Sequence, residues 1–367
     1  MRELQDLVEK WDQDYLIKNL FSPFLAKGSY ERYFENIKIL RELKFIQYQP
    51  ISHPIDKDFL DRLIEWLYQF SKEDQPYLFY FSSKIIYFTY EQLLVLMENL
   101  YERKIKRLLL NKVIEKKNFE PYSYLKAQKF FDSELKKTFF VGLTDSSRIN
   151  EFCHRIEEIK RHINTGLSLE TLLFSTKKRL TTSEDKIKEI CKKFEKKILS
   201  VDELIKDKER LVILEDFCGS GSDVINYLSF IEESYLHFTE IIISPYIITF
   251  KAKRKIEKWI NTSKRSRQYY LTYGTLIPEE MKCFDQDNSY LKTDWFHKTD
   301  DICEKIKEIS EKTYEKIFQQ AFPHKYGFGN LKIAFVYYFN CPDNSLPIIW
   351  FNKLDWKPLF KRSSRIY

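Results

Sequence analysis

The segment Leu211–Asp223, LVILEDFCGSGSD, is the most informative part of this sequence. Four apolar residues, two acidic ones and a Gly/Ser-rich turn follow one another, and the next residues, VINYLSFI, continue with helical spacing. This order is typical of a buried strand that enters a helix through a tight turn in an α/β sheet. Ligands bind at the carboxyl ends of parallel strands in such sheets, so we expect Glu215 and Asp216 at a binding edge.

The turn Gly219–Ser222 offers backbone N–H groups and hydroxyls at the start of a helix, an arrangement that binds anions. Acidic side chains beside an anion cradle suit a ribose 5-phosphate, with the carboxylates on the sugar hydroxyls and the loop on the phosphate. The alternative is a Gly/Ser turn that merely connects strand to helix. Cys218 lies in the same stretch, but the sequence identifies no His or Asn partner for it, and we expect a passive thiol.

A second strand–loop–helix pattern precedes this one along the chain. The apolar run TFFVGL, residues 138–143, stops at the polar cluster TDSSR, and NEFCHRIEEI continues with helical spacing. The cluster consists of Thr144, Asp145, Ser146, Ser147 and Arg148. Its arginine is suited to pair with an anion and its hydroxyls to donate to one, whereas the simpler alternative is a helix cap by the aspartate or the first serine.

Other patterns extend the α/β prediction towards the C-terminus. Strand candidates are EIIISPYIITF (240–250), QYYLTYGTL (268–276) and LKIAFVYYF (331–339), and DDICEKIKEISEKTYEKIF (300–318) is a helix candidate. Strands alternating with helices favour an open, mostly parallel sheet. Earlier residues, to about 113, repeat apolar side chains at spacings of three and four and predict helices. We therefore predict a helical N-terminal domain over 1–120 and an α/β domain over 121–367.

Composition excludes several classes of protein. The chain has 367 residues and a net charge of +7, and its longest apolar run, Ile241–Phe250, is far too short to span a membrane. The N-terminus is charged from its second residue, so we expect a cytoplasmic protein without membrane contact. None of the six cysteines forms a CxxC pair, and no short-spaced ligand cluster occurs. Reduced thiols and no protein-bound structural metal are expected.

Basic residues concentrate in one segment, KAKRKIEKWINTSKRSR, residues 251–267. Its single acidic residue, Glu257, leaves the segment strongly positive, and such a patch attracts phosphates, nucleic acid or an acidic partner. Lys253, Arg254 and Lys258 are the candidate contacts. The alternative is a solvated helix face.

The stretch Leu211–Asp223 resembles the signature of the phosphoribosyltransferase fold, in which four apolar residues, two acidic ones and a short Thr/Gly loop bind phosphoribosyl pyrophosphate. The resemblance implies that Glu215 and Asp216 are the catalytic pair on the ribose hydroxyls, that TDSSR binds pyrophosphate, and that Mg²⁺ accompanies it. The implied 5-phosphate loop is Gly219, Ser220, Gly221, Ser222 and Asp223. Asp223 departs from the family pattern of Thr or Ser and places a negative charge near the phosphate.

With its helical N-terminal part and the ending CPDNSLPIIW (341–350), the chain resembles the phosphoribosyltransferase-like proteins of bacterial conflict systems, some of which accompany retron reverse transcriptases. The resemblance implies an anti-phage defence effector that binds a ribosyl-phosphate or nucleotide ligand and transfers or hydrolyses at its anomeric carbon. The partners it implies are a reverse transcriptase and its RNA/DNA. A catalytically silent module that senses a nucleotide or docks on such a complex stays open. Near the ending, Asn340, Asp343 and Asn344 are candidates to border the ligand, or belong to a simple edge loop.

Overall fold

The computed structural model divides the chain into two compact units. The sheet unit is Glu91–Pro278, and the split unit combines Met1–Tyr90 with Glu279–Tyr367. The structure describes residues 39, 42, 45–50, 59–144, 147–160, 168–169, 205–233, 236–262, 266–285, 290–291 and 301–363. Within those residues, no helix combines the length and the apolar character that crossing a membrane requires.

The helices alternate with short strands along the described residues. They are α1 (Phe59–Leu67), α2 (Gln75–Ser83), α3 (Tyr90–Leu100), α4 (Lys106–Lys116), α5 (Tyr124–Lys136), α6 (Ile149–Arg155), α7 (Glu157–Lys160), α8 (Ser222–Glu233), α9 (Phe250–Asn261), α10 (Ile302–Thr313) and α11 (Pro347–Trp350). A π-helical turn, Tyr101–Ile105, joins α3 to α4, and another, Tyr314–Phe318, follows α10. Helices α3 and α4 thus form one helical run with a π turn within it.

The strands pair in parallel wherever the structure describes a ladder. They are β1 (Ile86–Phe88), β2 (Thr138–Gly142), β3 (Arg210–Cys218), β4 (Glu240–Thr249), β5 (Gln268–Leu271), β6 (Thr275–Ile277) and β7 (Phe335–Tyr337). In the sheet unit their order is β2-β3-β4-β5, and β6 pairs with β4. This is the open parallel sheet that the alternation of strands and helices predicts.

Helices α8 and α9 cover one face of this sheet. Ile213 and Ile243 on the central strands are buried with Leu228 of α8 and Ile256 of α9 in one apolar cluster. Strands of a parallel sheet that are buried on both faces have continuous apolar sequences, which explains the patterns at 211–214 and 241–243. Because α8 follows β3 and α9 follows β4 along the chain, both helices begin at the carboxyl edge of the sheet, where the acid pair lies.

The split unit has its own core, to which described residues of both its segments contribute. Trp66 of α1 donates its indole N–H to the backbone oxygen of Ile348 at 2.8 Å, and its ring is buried in a cluster that includes Ile306 and Phe360. This shared core explains why the compact units divide after Tyr90 rather than at the residue 120 predicted from the sequence.

The late strand β7 differs from its sequence-based prediction. It lies within the predicted run 331–339, but it pairs with β1, with Ile86 opposite Phe335, and belongs to the split unit instead of the main sheet. The strand β1 itself falls in a region predicted to be helical. Three apolar residues carry too little pattern to be separated from a helix face, and their partner lies far along the chain.

A buried ionic network holds the amino ends of the main strands. Arg210, the first residue of β3, bonds Glu134 of α5 and Glu240 of β4, at 3.2 and 2.5 Å. Lys116 and Lys112 of α4 complete the network on those two glutamates, at 3.0 and 2.9 Å. This network lies at the edge of the sheet opposite to the acid pair.

Candidate functional site

The acid pair lies inside β3 rather than beyond its end. The sequence predicts a strand over 211–214, whereas the ladder with β4 continues with Glu215 opposite Pro245 and Cys218 opposite Ile248. The strand extends because β4 runs on beside it. Glu215 and Asp216 are therefore held by sheet hydrogen bonding near the carboxyl edge, which fixes their position more firmly than a loop would.

The TDSSR loop contacts this acid pair directly. Strand β2 pairs with β3 up to Gly142 opposite Leu214, so the loop after β2 emerges beside Glu215. Ser147 Oγ lies 2.8 Å and Thr144 Oγ1 3.4 Å from Glu215 Oε2. The TDSSR loop thus meets a strand carboxylate that lies about seventy residues further along the chain. Asp145 and Ser146 lie outside the described residues.

Local geometry fixes the turn before Arg148. Ser147 Oγ accepts from the Thr144 N–H at 3.0 Å and lies 2.7 Å from the Thr144 carbonyl, so it shares its one proton between that oxygen and the nearby glutamate. A Cβ at Gly142 would lie only 3.0 Å from Ser147 Cβ and from the Thr144 carbonyl oxygen, so a side chain there would require the turn to shift by a few tenths of an ångström. Arg148 itself has a left-handed backbone, with φ of 51°, a conformation that costs energy and is common at functional sites.

Asp216 is buried, with 8% of its surface exposed. Burial raises its pKa to about 6, even though the Phe217 N–H, a hydrogen bond with Glu215 and the Arg148 guanidinium all lower it. The Phe217 N–H donates to Asp216 Oδ1 at 2.9 Å. Burial thus makes Asp216 easier to protonate than an exposed aspartate.

The Gly/Ser loop turns the chain from β3 into α8. Gly221 has φ of +73°, which glycine adopts without strain, and Ser222 is the first residue of the helix. Asp223 lies in the first turn and is exposed. Burial raises the pKa of Cys218 far above its usual value, so this thiol stays protonated at neutral pH and is no nucleophile.

The first turn of α9 packs against this loop. Thr249, the N-cap of α9, donates its hydroxyl to the Gly219 carbonyl at 2.6 Å, and a Cβ at Gly221 would lie 3.2 Å from Ala252. One turn further on, Lys255 Nζ lies 2.8 Å from Ser222 Oγ. This contact was not predicted from the sequence. The signal for it is that the next β–α connection in a parallel sheet lies beside the previous one, which places the start of α9 at this loop.

The basic segment is less uniform than its sequence suggests. Arg267 donates to three backbone carbonyls at the end of α8 and just beyond it, a structural role. Lys253 is half-buried near Glu257 and above an aromatic ring. Arg254 and Lys258 are exposed on α9. Residues 263–265 lie outside the described residues.

The candidates near the C-terminus belong to the split unit and support its fold. Asp343 pairs with Arg362 at 3.0 Å, and Asn344 donates to a backbone carbonyl. Asn340 accepts from two backbone N–H groups. These contacts fit the edge-loop alternative raised by the sequence.

Metal-ligating side chains do not cluster in the part of the chain that the structure describes: no three His, Cys, Asp or Glu residues are placed to hold an ion there. The oxygen donors of Glu215 and Asp216 are nevertheless of the kind that Mg²⁺ takes. They fit an ion that is held mainly by ligand oxygens and water.

Comparison with known proteins gives a family match. A family model described as PRTase-CE matches residues 63–362, which include both loops of the candidate site and the whole described sheet. Curated proteins and solved structures give no match to the chain.

Proposed function

We propose, because the chain belongs to the PRTase-CE family of phosphoribosyltransferase-like conflict-system effectors, that it binds a ribosyl phosphate. The proposed binding site is the acid pair of the sheet unit. The observation that carries the proposal is the contact of Ser147 with Glu215, which joins the TDSSR loop to the acid pair. Glu215 and Asp216 would bind the ribose hydroxyls, with Gly219–Ser222 on the 5-phosphate. The biological role that we propose is anti-phage defence.

The proposed reaction is substitution at the anomeric carbon. The bond from that carbon to the pyrophosphate oxygen breaks, and its electron pair leaves with pyrophosphate. Water or a nucleobase nitrogen forms the new bond and gives up a proton. Positive charge develops on the sugar in the transition state, where the acid pair stabilises it, while Arg148 pairs with the leaving group. Asp216, with a pKa of about 6, is suited to accept the released proton.

Mg²⁺ is part of this proposal as a companion of the pyrophosphate. The ion would neutralise phosphate charge, and the carboxylates of Glu215 and Asp216 are the residues that would contact its shell.

Metabolite profiling tests the proposal. Cells that express the chain, together with any trigger its system needs, should lose one ribosyl-phosphate or nucleotide metabolite, whereas cells that express Asp216→Ala should not. Asp132→Ala, which removes an exposed carboxylate of α5, is the matched control and should behave like the parent chain. Identical profiles for all three chains, at equal protein levels, would contradict an enzymatic role.

The exposed basic residues of α9 favour a second candidate function, docking on nucleic acid or on a reverse transcriptase with its RNA/DNA, as in a retron. Arg254 and Lys258 lie one turn apart on this helix and are both exposed. Positive side chains at that spacing follow a phosphate backbone and release counterions when they bind it. In this reading the fold acts as a catalytically silent module.

Salt dependence tests the docking function. The double variant Arg254→Gln, Lys258→Gln should bind nucleic acid more weakly, and the slope of log K against log salt should fall by up to about 2, because each lost phosphate contact removes about 0.9 from it. Lys253→Gln should change the slope less, since this lysine is half-buried beside Glu257. Lys126→Gln, Lys129→Gln removes the same charge from exposed positions of α5 and is the control. Equal slopes for both double variants would assign the α9 residues to a solvated face.

A further inference from the structure

The lysine that contacts the Gly/Ser loop has no role in the site so far. Lys255 is exposed on the first turns of α9, and its Nζ lies 2.8 Å from Ser222 Oγ, at the start of α8. We infer that Lys255 is the phosphate-binding cation of this loop, which it reaches from an element outside the signature stretch. The inference rests on the proposed function and assigns a residue to the ligand's phosphate.

The position of Lys255 is fixed by the docking of α9. Thr249 caps the helix by accepting from the Ala252 N–H at 3.1 Å, and its hydroxyl also donates to the Gly219 carbonyl. Gly221 allows the close approach, because any side chain there would meet the backbone of Ala252. Lys255 follows Ala252 by three residues and thus projects from the same side of the helix. The ammonium group is therefore presented to the loop by a rigid element.

Electrostatics give Lys255 a reason to be there. Asp223 places a negative charge in the first turn of α8, where the backbone N–H groups would face a phosphate. Burial dominates the raised pKa of the neighbouring Cys218 thiol, and the charge of Asp223 adds to the rise while that of Lys255 opposes it. Both charges are thus close enough to act on the same group. Lys255 offsets the repulsion that Asp223 would otherwise exert on a bound phosphate.

The exchange of partners on binding follows from the chemistry of the groups. Without a ligand, the ammonium of Lys255 donates to the Ser222 hydroxyl. A phosphate monoester presents charged oxygens, which are stronger acceptors than a hydroxyl, and Lys is a frequent phosphate ligand. When a phosphate occupies the loop, the ammonium and the Ser222 hydroxyl both become donors to it.

Calorimetric titration with ribose 5-phosphate and with phosphoribosyl pyrophosphate tests this inference. Lys255→Gln should weaken both ligands about tenfold or more at low salt, the usual scale for losing a hydrogen bond between charged groups. The loss should shrink at high salt, because the site is exposed to solvent. Lys129→Gln, which removes the same charge from an exposed position of α5, is the matched control and should change affinity far less.

A second variant separates the electrostatic argument from damage to the fold. Adding Asp223→Asn to Lys255→Gln should recover part of the lost affinity, because it removes the charge that the lysine offsets. Lys255→Gln binding as tightly as the parent chain would overturn the inference and leave the proposed function standing. A parent chain that binds neither ligand would contradict the proposed function itself, and the inference with it.

Discussion

Replacing Arg210 with methionine is expected to lower the free energy of unfolding by about 3–5 kcal/mol, the cost of removing one member of a buried ionic network. Arg210 is fully buried and neutralises Glu134 and Glu240 at once. Burial raises the pKa values of both glutamates, but the hydrogen bonds and charges of Arg210 and the neighbouring lysines offset this and hold them below their usual values. Methionine fills similar space but leaves each glutamate with a single lysine.

The pH dependence of this loss identifies its cause. A carboxylate with a depressed native pKa contributes stability above its unfolded pKa, and that stability is lost as the pH falls through the native pKa. Urea unfolding should therefore show a large difference between the parent chain and Arg210→Met at pH 7, and a smaller one below about pH 4. Adding Glu134→Gln and Glu240→Gln to Arg210→Met should restore part of the stability, because the two carboxylates that Arg210 neutralises are then removed with it. A constant difference across this range would indicate lost packing instead.

The elements around the site could be predicted from local signals. The runs at 138–143 and 211–214 are apolar and end at polar or glycine-rich clusters, so their strands, their loops and the helices after them are readable from a short window. The register of β2 on β3 then follows from a parallel sheet and brings TDSSR to Glu215. Pattern and topology together predict that the TDSSR loop lies beside the acid pair.

Contacts between distant residues could not be predicted in this way. In the sequence, Arg210 is a charged residue at the start of a strand, a position that is usually exposed to solvent. The two glutamates that pair with it lie 76 and 30 residues away. Lys255 and Ser222 are 33 residues apart, and the periodicity of α9 shows only an exposed basic face. The strand β1 has three residues and exists because β7 pairs with it. These features depend on tertiary contacts, and a local sequence window does not contain the partner residues.

Replacing Asp216 with asparagine is expected to stabilise the protein and to abolish ligand binding. Burial raises the native pKa of Asp216 to about 6, above the unfolded value near 3.9, so the native state binds more protons than the unfolded state between these values. Stability therefore falls as the pH rises from about 4 to about 6, by an amount on the order of 1–3 kcal/mol. Asparagine has no charge to desolvate, and its side-chain oxygen still accepts from the Phe217 N–H.

Thermal unfolding across pH 4–8, paired with titration of phosphoribosyl pyrophosphate, checks this expectation. Asp216→Asn should match the parent chain near pH 4 and exceed its stability above pH 6, while it loses affinity for the ligand. Asp132→Asn, on the exposed surface of α5, should leave both curves unchanged. A variant that is less stable at every pH would show that the carboxylate supports the fold. If Asp216 lowers the stability of the fold at neutral pH and is also required for affinity, its carboxylate serves ligand binding and not folding.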